Sequence, residues 1–278
     1  MLVLTAVVSA SLAYYFSPAK RSERAVAKLR ETGADIIYDF QWEPASHGVW
    51  FNRKAEPPGP KLVRKVIGEG FFQNADRVFF DKPMSVSDFQ LLAGLPSVLY
   101  LTVHNCELDD EHMKVLPGLH RLESFDGQAN AISDIGVAHL AELQDLATLW
   151  LSQNRISGTG FKSFSTPSLV ELHMYDNPIT NEGLIEIGRL TSLEKLGIGR
   201  TTRAAGDGNK VTDDGIAHLA DLKRLKFICL VNLDITDEAL QTLQQIPSLQ
   251  TIELYGTEIT NAGVADLKAA LPNCKIKH

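Results

Sequence analysis

The sequence predicts an α/β solenoid, a curved stack of strand-and-helix coils with a parallel β-sheet on the concave face and helices on the convex face. Two observations carry this. A short anchor, an apolar residue followed by a polar pair such as Ser-Asp or Thr-Asn, recurs at Val86, Leu108, Ile132, Ile156, Ile179, Val211, Ile235 and Ile259, in steps of 22, 24, 24, 23, 32, 24 and 24 residues. Periods of that size belong to stacked repeats and not to a compact enzyme. Around each anchor the hydrophobic period also changes, from two at Leu149 and Leu151 to about three at Val137, Leu140 and Leu143. The first is a strand with one buried side and the second is one face of a helix. A unit this small cannot bury its apolar side alone, so neighbours must share one core.

Taken in chain order, residues 1–19 carry no charged side chain, and Lys20, Arg21, Arg24, Lys28 and Arg30 follow at once. An apolar run of about 17 residues is the lower limit for a membrane span. The segment is expected to make the protein membrane-anchored and single-pass, with a cleaved export signal using Ser11 and Ala13, or a buried helix, as the alternatives. Between residues 20 and 65 there are 10 basic and 6 acidic residues, net +4. The basic segment would favour an anionic lipid surface, and the positive-inside rule would leave the repeats on the cytoplasmic side.

Residues 20–74 read as a cap over the apolar end of the first repeat. Within it, 22–32 has the pattern of an amphipathic helix stopped by Gly33, 34–42 that of a strand, 56–60 that of a Pro-rich loop, and a helix runs from Lys61 to about Gly68. The repeat domain occupies 75–278; the stretch 67–278 holds 17 basic and 28 acidic residues, net -11. That balance argues against nucleic acid as a partner. At the far end, 271–276 should close the last repeat with a short strand.

Each repeat carries the pattern L-x-x-L-x-L-x-x-N-x-L, seen at Leu146, Leu149, Leu151, Asn154, Ile156 and again at Leu169, Leu172, Met174, Asn177, Ile179. This resembles the leucine-rich repeat family. Asn130, Asn154 and Asn177 have amides suited to backbone groups that the bend leaves unpaired. Cys106 and Thr257 stand in for Asn elsewhere, and Leu233 cannot, so local weakening is expected near Leu233. Thr212 and Thr236 suit a helix N-cap, and Asp213 and Asp237 suit the positive end of the helix dipole. With the cap pattern A-V-x-x-L-R at 25–30, the arrangement resembles bacterial leucine-rich repeat proteins carrying an N-terminal hydrophobic anchor. That resemblance implies an interaction module and adds no chemistry. Cys106, Cys229 and Cys274 fall in different repeats, so neither a disulfide framework nor a zinc spacing is present.

In this frame three columns of side chains line the concave face. The central one reads Thr102, Asp126, Trp150, His173, Gly197, Cys229, Glu253; the next reads His104, Gln128, Ser152, Tyr175, Gly199, Val231, Tyr255; the preceding one reads Tyr100, Ser124, Thr148, Glu171, Lys195, Phe227, Thr251. Packing does not fix their identity. Candidate partner-binding residues are therefore Tyr100, His104, Asp126, Trp150, Glu171, His173, Tyr175, Glu253 and Tyr255. Stiff aromatics such as Trp150 and Tyr175 give contact area for little lost entropy, while Asp126, Glu171 and Asp176 would favour a basic partner. The alternative is that these aromatics pack only on one another. The long step before Val211 marks an insertion at 200–210, a surface loop where Arg200, Arg203 and Lys210 form a possible basic binding spot.

The expected function is a non-catalytic module, tethered at a membrane, that binds a protein or peptide on its concave face without a small-molecule cofactor or metal. A second reading is an adaptor in protein turnover, since Leu101, Val103, Cys106, Leu108 and Asp110 resemble the cysteine-containing repeats of F-box proteins. An enzyme is the third. His104 and His173 lie three strands apart, roughly 14 Å, beyond one metal or one proton transfer. No nucleophile elbow, H-E-x-x-H or phosphate loop is present.

Overall fold

The computed structural model describes residues 18–45, 48–67, 69, 73–164, 168–201 and 211–278. Nine strands, one per coil, run parallel and in sequence order: β4 (Ala75–Phe80), β5 (Tyr100–Val103), β6 (Ser124–Asp126), β7 (Thr148–Trp150), β8 (Glu171–Tyr175), β9 (Lys195–Gly199), β10 (Phe227–Val231), β11 (Thr251–Glu253) and β12 (Lys275–Lys277). A tenth, β1 (Asp35–Tyr38), adds antiparallel to the edge of β4. The sheet is an open arc, and the fold is a leucine-rich repeat solenoid. Its convex side carries short helices: α3 (Val86–Phe89), α4 (Asp110–Met113), α5 (Asp134–Ala138), α6 (Asn181–Ile187), α7 (Asp213–Ala217), α8 (Asp237–Gln244) and α9 (Asn261–Ala270). Between β7 and β8 the chain makes one stretch of 3-10 helix, Thr159–Ser163.

The leucines do what their spacing requires. Leu146, Leu149 and Leu151 are fully buried, as are Val137, Leu140 and Leu143 on the helical side, and one continuous core runs from Ala25 to Cys274. Burying each such side chain contributes about 1.5–3 kcal/mol.

Polar ladders on either side of that core fix the stacking. In the first, Asn154 Oδ1 accepts from Ile132 N (3.0 Å), while its Nδ2 donates to the carbonyls of Gly127 (2.9 Å) and Leu151 (3.0 Å). Asn130 and Asn177 make equivalent bonds to the repeats before them. These are the unpaired backbone groups of the turn, and the amide satisfies both donors and acceptors. At the turn expected to be weak, Leu233 is buried in the core, and the adjacent Asn232 supplies an amide that reaches back to the Arg200 carbonyl (2.7 Å).

The second ladder joins the helix starts. Thr236 caps its helix as expected, its Oγ1 accepting from Glu238 N, and Thr260 Oγ1 accepts from Gly263 N. The expectation for Thr212 is corrected: its hydroxyl makes no bond to its own helix and accepts instead from Asn181 Nδ2 in the preceding coil (2.9 Å). The following Asp does more than answer the dipole. Asp213 accepts from Thr236 N (2.9 Å), Thr236 Oγ1 (2.8 Å) and Ala239 N (3.1 Å), all in the next repeat. Asp110 and Asp134 act likewise. Ala239 makes the approach with its methyl in place, but other coils lie closer: a Cβ on Gly183 would strike the Ser157 carbonyl, and one on Gly136 would press on Asp110.

The first repeat departs from the expected alignment. Its helix is capped by Ser85, whose hydroxyl accepts from Asp88 N, so the buried anchor is Met84, 24 residues before Leu108. The ladder position is then Val86, which cannot accept. In its place the buried His112 sets Nε2 3.1 Å from the Met84 carbonyl and Nδ1 2.7 Å from Asp109 Oδ1.

At the N-terminal side, α1 (18–31) places Ala25, Val26 and Leu29 in the common core, and its Ala25 methyl crosses directly over Gly94. Gly33 takes a left-handed conformation (φ 98°) where the helix ends. The segment 34–42 is not one strand, because Asp39–Gln41 form a 3-10 turn. Gln41 Oε1 accepts from Tyr38 N (2.9 Å) and closes that turn. The chain leaves it as β2 (Trp42–Ala45), paired antiparallel with β3 (Gly48–Phe51), and α2 (Lys61–Ile67) follows.

No helix among the described residues is long and apolar enough to cross a membrane. The expectation of a single-pass membrane anchor is corrected on that finding. Residues 1–17 lie outside the described part, and α1, which includes 18 and 19, has seven charged side chains and turns its apolar residues into the core of the repeats. A helix so charged would be costly in hydrocarbon.

Candidate functional site

The strand register pairs the central and preceding columns as the sequence spaced them, and in the third it pairs Tyr175, Gly199 and Val231; against expectation, Asp126, Cys229 and Ser152 are buried, because neighbouring side chains lie over them. Thr102 pairs with Asp126, Asp126 with Trp150, Trp150 with His173, His173 with Gly197, Gly197 with Cys229 and Cys229 with Glu253. The preceding column from Tyr100 to Thr251 is equally in register. The structure extends both by a strand at each end, adding Arg77 and Phe79 on β4 and Lys275 and Lys277 on β12.

Along this face the candidate residues separate into groups. At the centre Trp150 stands out from the sheet, 40% exposed. Its ring meets His173 edge to face (centroids 6.0 Å, 88°), and His173 in turn lies beside Tyr175 (5.9 Å, 32°). The next strand has no side chain at Gly197, where a Cβ would collide with the Tyr175 hydroxyl and His173 Nδ1. Imidazole and phenol therefore lie low across β9, and the indole forms a wall beside them. Aromatic rings favour this perpendicular contact.

Glu171 organises that corner. Its Oε1 accepts from Trp150 Nε1 (3.3 Å) and lies 3.0 Å from His173 Nε2, and its Oε2 accepts from Lys195 Nζ (2.9 Å). Burial alone would raise the Glu171 pKa, but the hydrogen bonds from Lys195 and His173, with their charges, hold it below the ordinary carboxylate value. Burial, with the Cys229 thiol close by, holds the Tyr175 hydroxyl well above the ordinary phenol range. Burial likewise pushes the Cys229 thiol up to about 11. Neither group is prepared to act as a base or nucleophile near neutral pH.

Elsewhere the acidic residues are paired within the chain. His104 Nε2 is 2.6 Å from Asp126 Oδ2, Gln128 Nε2 donates to Asp126 Oδ1 (3.0 Å), and Lys277 pairs with Glu253. Asp176 accepts from Thr201 N (2.8 Å) and the Thr201 hydroxyl, which ties down the base of the insertion. Tyr255 is exposed at 43%. Tyr100 belongs to a different group: it and Trp42 face the Arg77 guanidinium at 3.9 and 4.4 Å, and the Tyr100 hydroxyl donates to Glu123 Oε2 (3.2 Å). Spacing alone did not disclose Arg77 and Trp42, because the core positions of that repeat are Ala75, Val78 and Phe80 instead of leucines. Of the expected basic loop, Arg200 bonds through its backbone to Val231 and Asn232, and Arg203 and Lys210 lie outside the described residues. Among the described residues no three His, Cys, Asp or Glu side chains are grouped to hold a metal.

The family model described as "Leucine Rich repeat" matches residues 167–188, the coil that contains β8 and α6. Asporin of Bos taurus is 25% identical over 179 residues, 64% of this chain and 46% of asporin, so the chain spans about half the length of that curated relative. Among solved structures, an internalin C2 of Listeria monocytogenes is 19% identical with a TM-score of 0.48, covering 69% of this chain and 73% of that one. A second internalin of the same organism is 19% identical with a TM-score of 0.49, covering 70% and 58%. Strand order, buried leucines and the asparagine ladder give the chain a leucine-rich repeat fold, and one of its coils matches that family's model.

Proposed function

We propose that the protein is a non-catalytic binding module whose concave face receives a protein or peptide partner at the corner formed by Trp150, His173 and Tyr175. The observation that carries this is the exposure of the Trp150 ring at the centre of the sheet, held upright by Glu171 and His173. The core and the ladders do not need an aromatic ring at that position, and beyond its edge contacts with Glu171 and His173 much of the indole is left to solvent. Held rigidly, it offers the contact area typical of an interface anchor. Tyr255, Glu253 and His104 extend the same surface, and the Arg77 group bounds it at the N-terminal end.

The test is the triple variant Trp150→Ala/His173→Ala/Tyr175→Ala. A partner captured by the wild type, identified by mass spectrometry and bound again in purified form, should be lost by about 100-fold or more, since hot-spot truncations cost 2 kcal/mol or more each. The circular dichroism spectrum should be unchanged. Equal binding by wild type and variant would remove the concave site.

A further inference from the structure

Trp150 lies between two histidine–carboxylate pairs. On one side, His104 Nε2 sits 2.6 Å from Asp126 Oδ2, with Asp126 directly beside Trp150 on β6. On the other, His173 Nε2 sits 3.0 Å from Glu171 Oε1, the oxygen that also accepts the indole N–H. The groups facing these rings are few. Asp126 and Gln128 on β6 face His104, and Asp81, one residue beyond the Phe80–Val103 pair, occupies the neighbouring register position on the β4 side. Trp150 on β7, Glu171 and Tyr175 on β8, and Lys195 through Glu171 surround His173.

With both imidazoles neutral, the carboxylates Asp126 and Glu171, with Asp81 beyond His104, outnumber the Lys195 ammonium. Protonating both imidazoles adds two positive charges and cancels that excess on the two flanks of the exposed indole. An indole face attracts a cation by its ring quadrupole, and a net negative surround reinforces that attraction while a positive one opposes it. Histidine is the side chain whose charge ordinarily changes between about pH 5 and 8.

We propose that the site takes a cationic segment, a Lys or Arg side chain laid on the Trp150 ring, and that protonation of His104 and His173 releases it. This rests on the docking reading above and adds the partner's charge and a proton gate.

The test uses the whole protein and a short lysine-rich peptide, with its glutamate counterpart as control, monitored by the Trp150 indole N–H resonance, which the Trp150→Phe variant assigns. The lysine peptide should shift that resonance at about pH 7.5 and bind on the order of tenfold more weakly at about pH 5.5. The glutamate peptide should not bind at the higher pH. In His104→Gln/His173→Gln the ratio of affinities at the two pH values should fall to near one. Failure of the lysine peptide to perturb Trp150, preference for the glutamate peptide, no pH dependence in the wild type, or an unchanged ratio in the double variant would each overturn the proposal. A neutral or acidic partner crosslinked at Trp150 would also overturn it, while leaving the concave docking site standing.

Discussion

Asp134 and Ser157 lie 23 residues apart, yet one carboxylate oxygen of Asp134 accepts both the backbone N–H (2.9 Å) and the hydroxyl (2.7 Å) of Ser157. Its other oxygen accepts from Gly158 N (3.0 Å) and Gly160 N (2.8 Å). A short polar motif at the helix starts of the middle coils is thus a clamp on the next coil. Asp134→Ala should cost on the order of 3 kcal/mol, because it strands donors that had a charged acceptor. The thermal midpoint should fall by roughly 10 °C. Asp134→Asn should lose about half as much. A change within about 0.5 kcal/mol for Asp134→Ala, the range of an ordinary surface substitution, would mean the clamp contributes nothing.

Gly183 in this motif and Gly118 at the end of a 3-10 turn should respond very differently to a methyl. Gly183→Ala places a methyl against the Ser157 carbonyl, backbone against backbone, with no flexible side chain to give way. The expected cost is about 2–3 kcal/mol. Gly118→Ala meets nothing within 4 Å and should change the denaturation midpoint little. Equal midpoints for the two variants would refute the close-approach account.

Asn154 and Leu233 occupy the same place in their repeats but should respond in opposite senses to consensus logic. Asn154→Ala leaves Ile132 N and several carbonyls without partners, at a cost of about 3 kcal/mol. Leu233→Asn would ordinarily be expected to restore the ladder. Here it should destabilise, because Leu233 is buried among apolar side chains and Asn232 already bonds Arg200. A Leu233→Asn variant more stable than wild type in chemical denaturation would contradict this.

Glu171 gives the concave corner a defined acid response. Its folded-state pKa lies below the ordinary carboxylate value: burial alone would raise it, but bonds from Lys195 and His173 outweigh that. The carboxylate therefore contributes stability that is full above that value and is lost as pH falls through the lower folded value. The difference in thermal midpoint between wild type and Glu171→Gln should be present at neutral pH and close at about pH 3. A gap that stays constant across that range would show that Glu171 is not coupled to folding.

The sheet and its columns are legible because burial alternates along β5, β7 and β8 and the buried core positions are mostly Leu or Ile. Even the neighbours of Trp150 on adjacent strands could be named. What was not legible depended on contacts between repeats. The sequence shows Thr236 and Asp213 as two separate capping residues, and only the stacked coils reveal their mutual bond. The first anchor was read at Val86 because Val-Ser-Asp repeats the local pattern, whereas burial selects Met84. Arg77 escaped notice since its strand carries Val78 and Phe80, and its aromatic partner Trp42 comes from a hairpin far away in the chain. At 1–19 hydropathy alone suggested a span, and hydropathy does not say what the adjoining helix packs against.

The most direct measurement of the central claim is photocrosslinking from position 150 compared with position 135. Trp150 stands 40% exposed on the concave face and Ile135 67% exposed on the convex helices, so a benzophenone side chain fits either place without disturbing the core. The account predicts a defined covalent adduct with one partner from position 150 and none from 135. Adducts of equal yield from both positions, or from 135 alone, would contradict it.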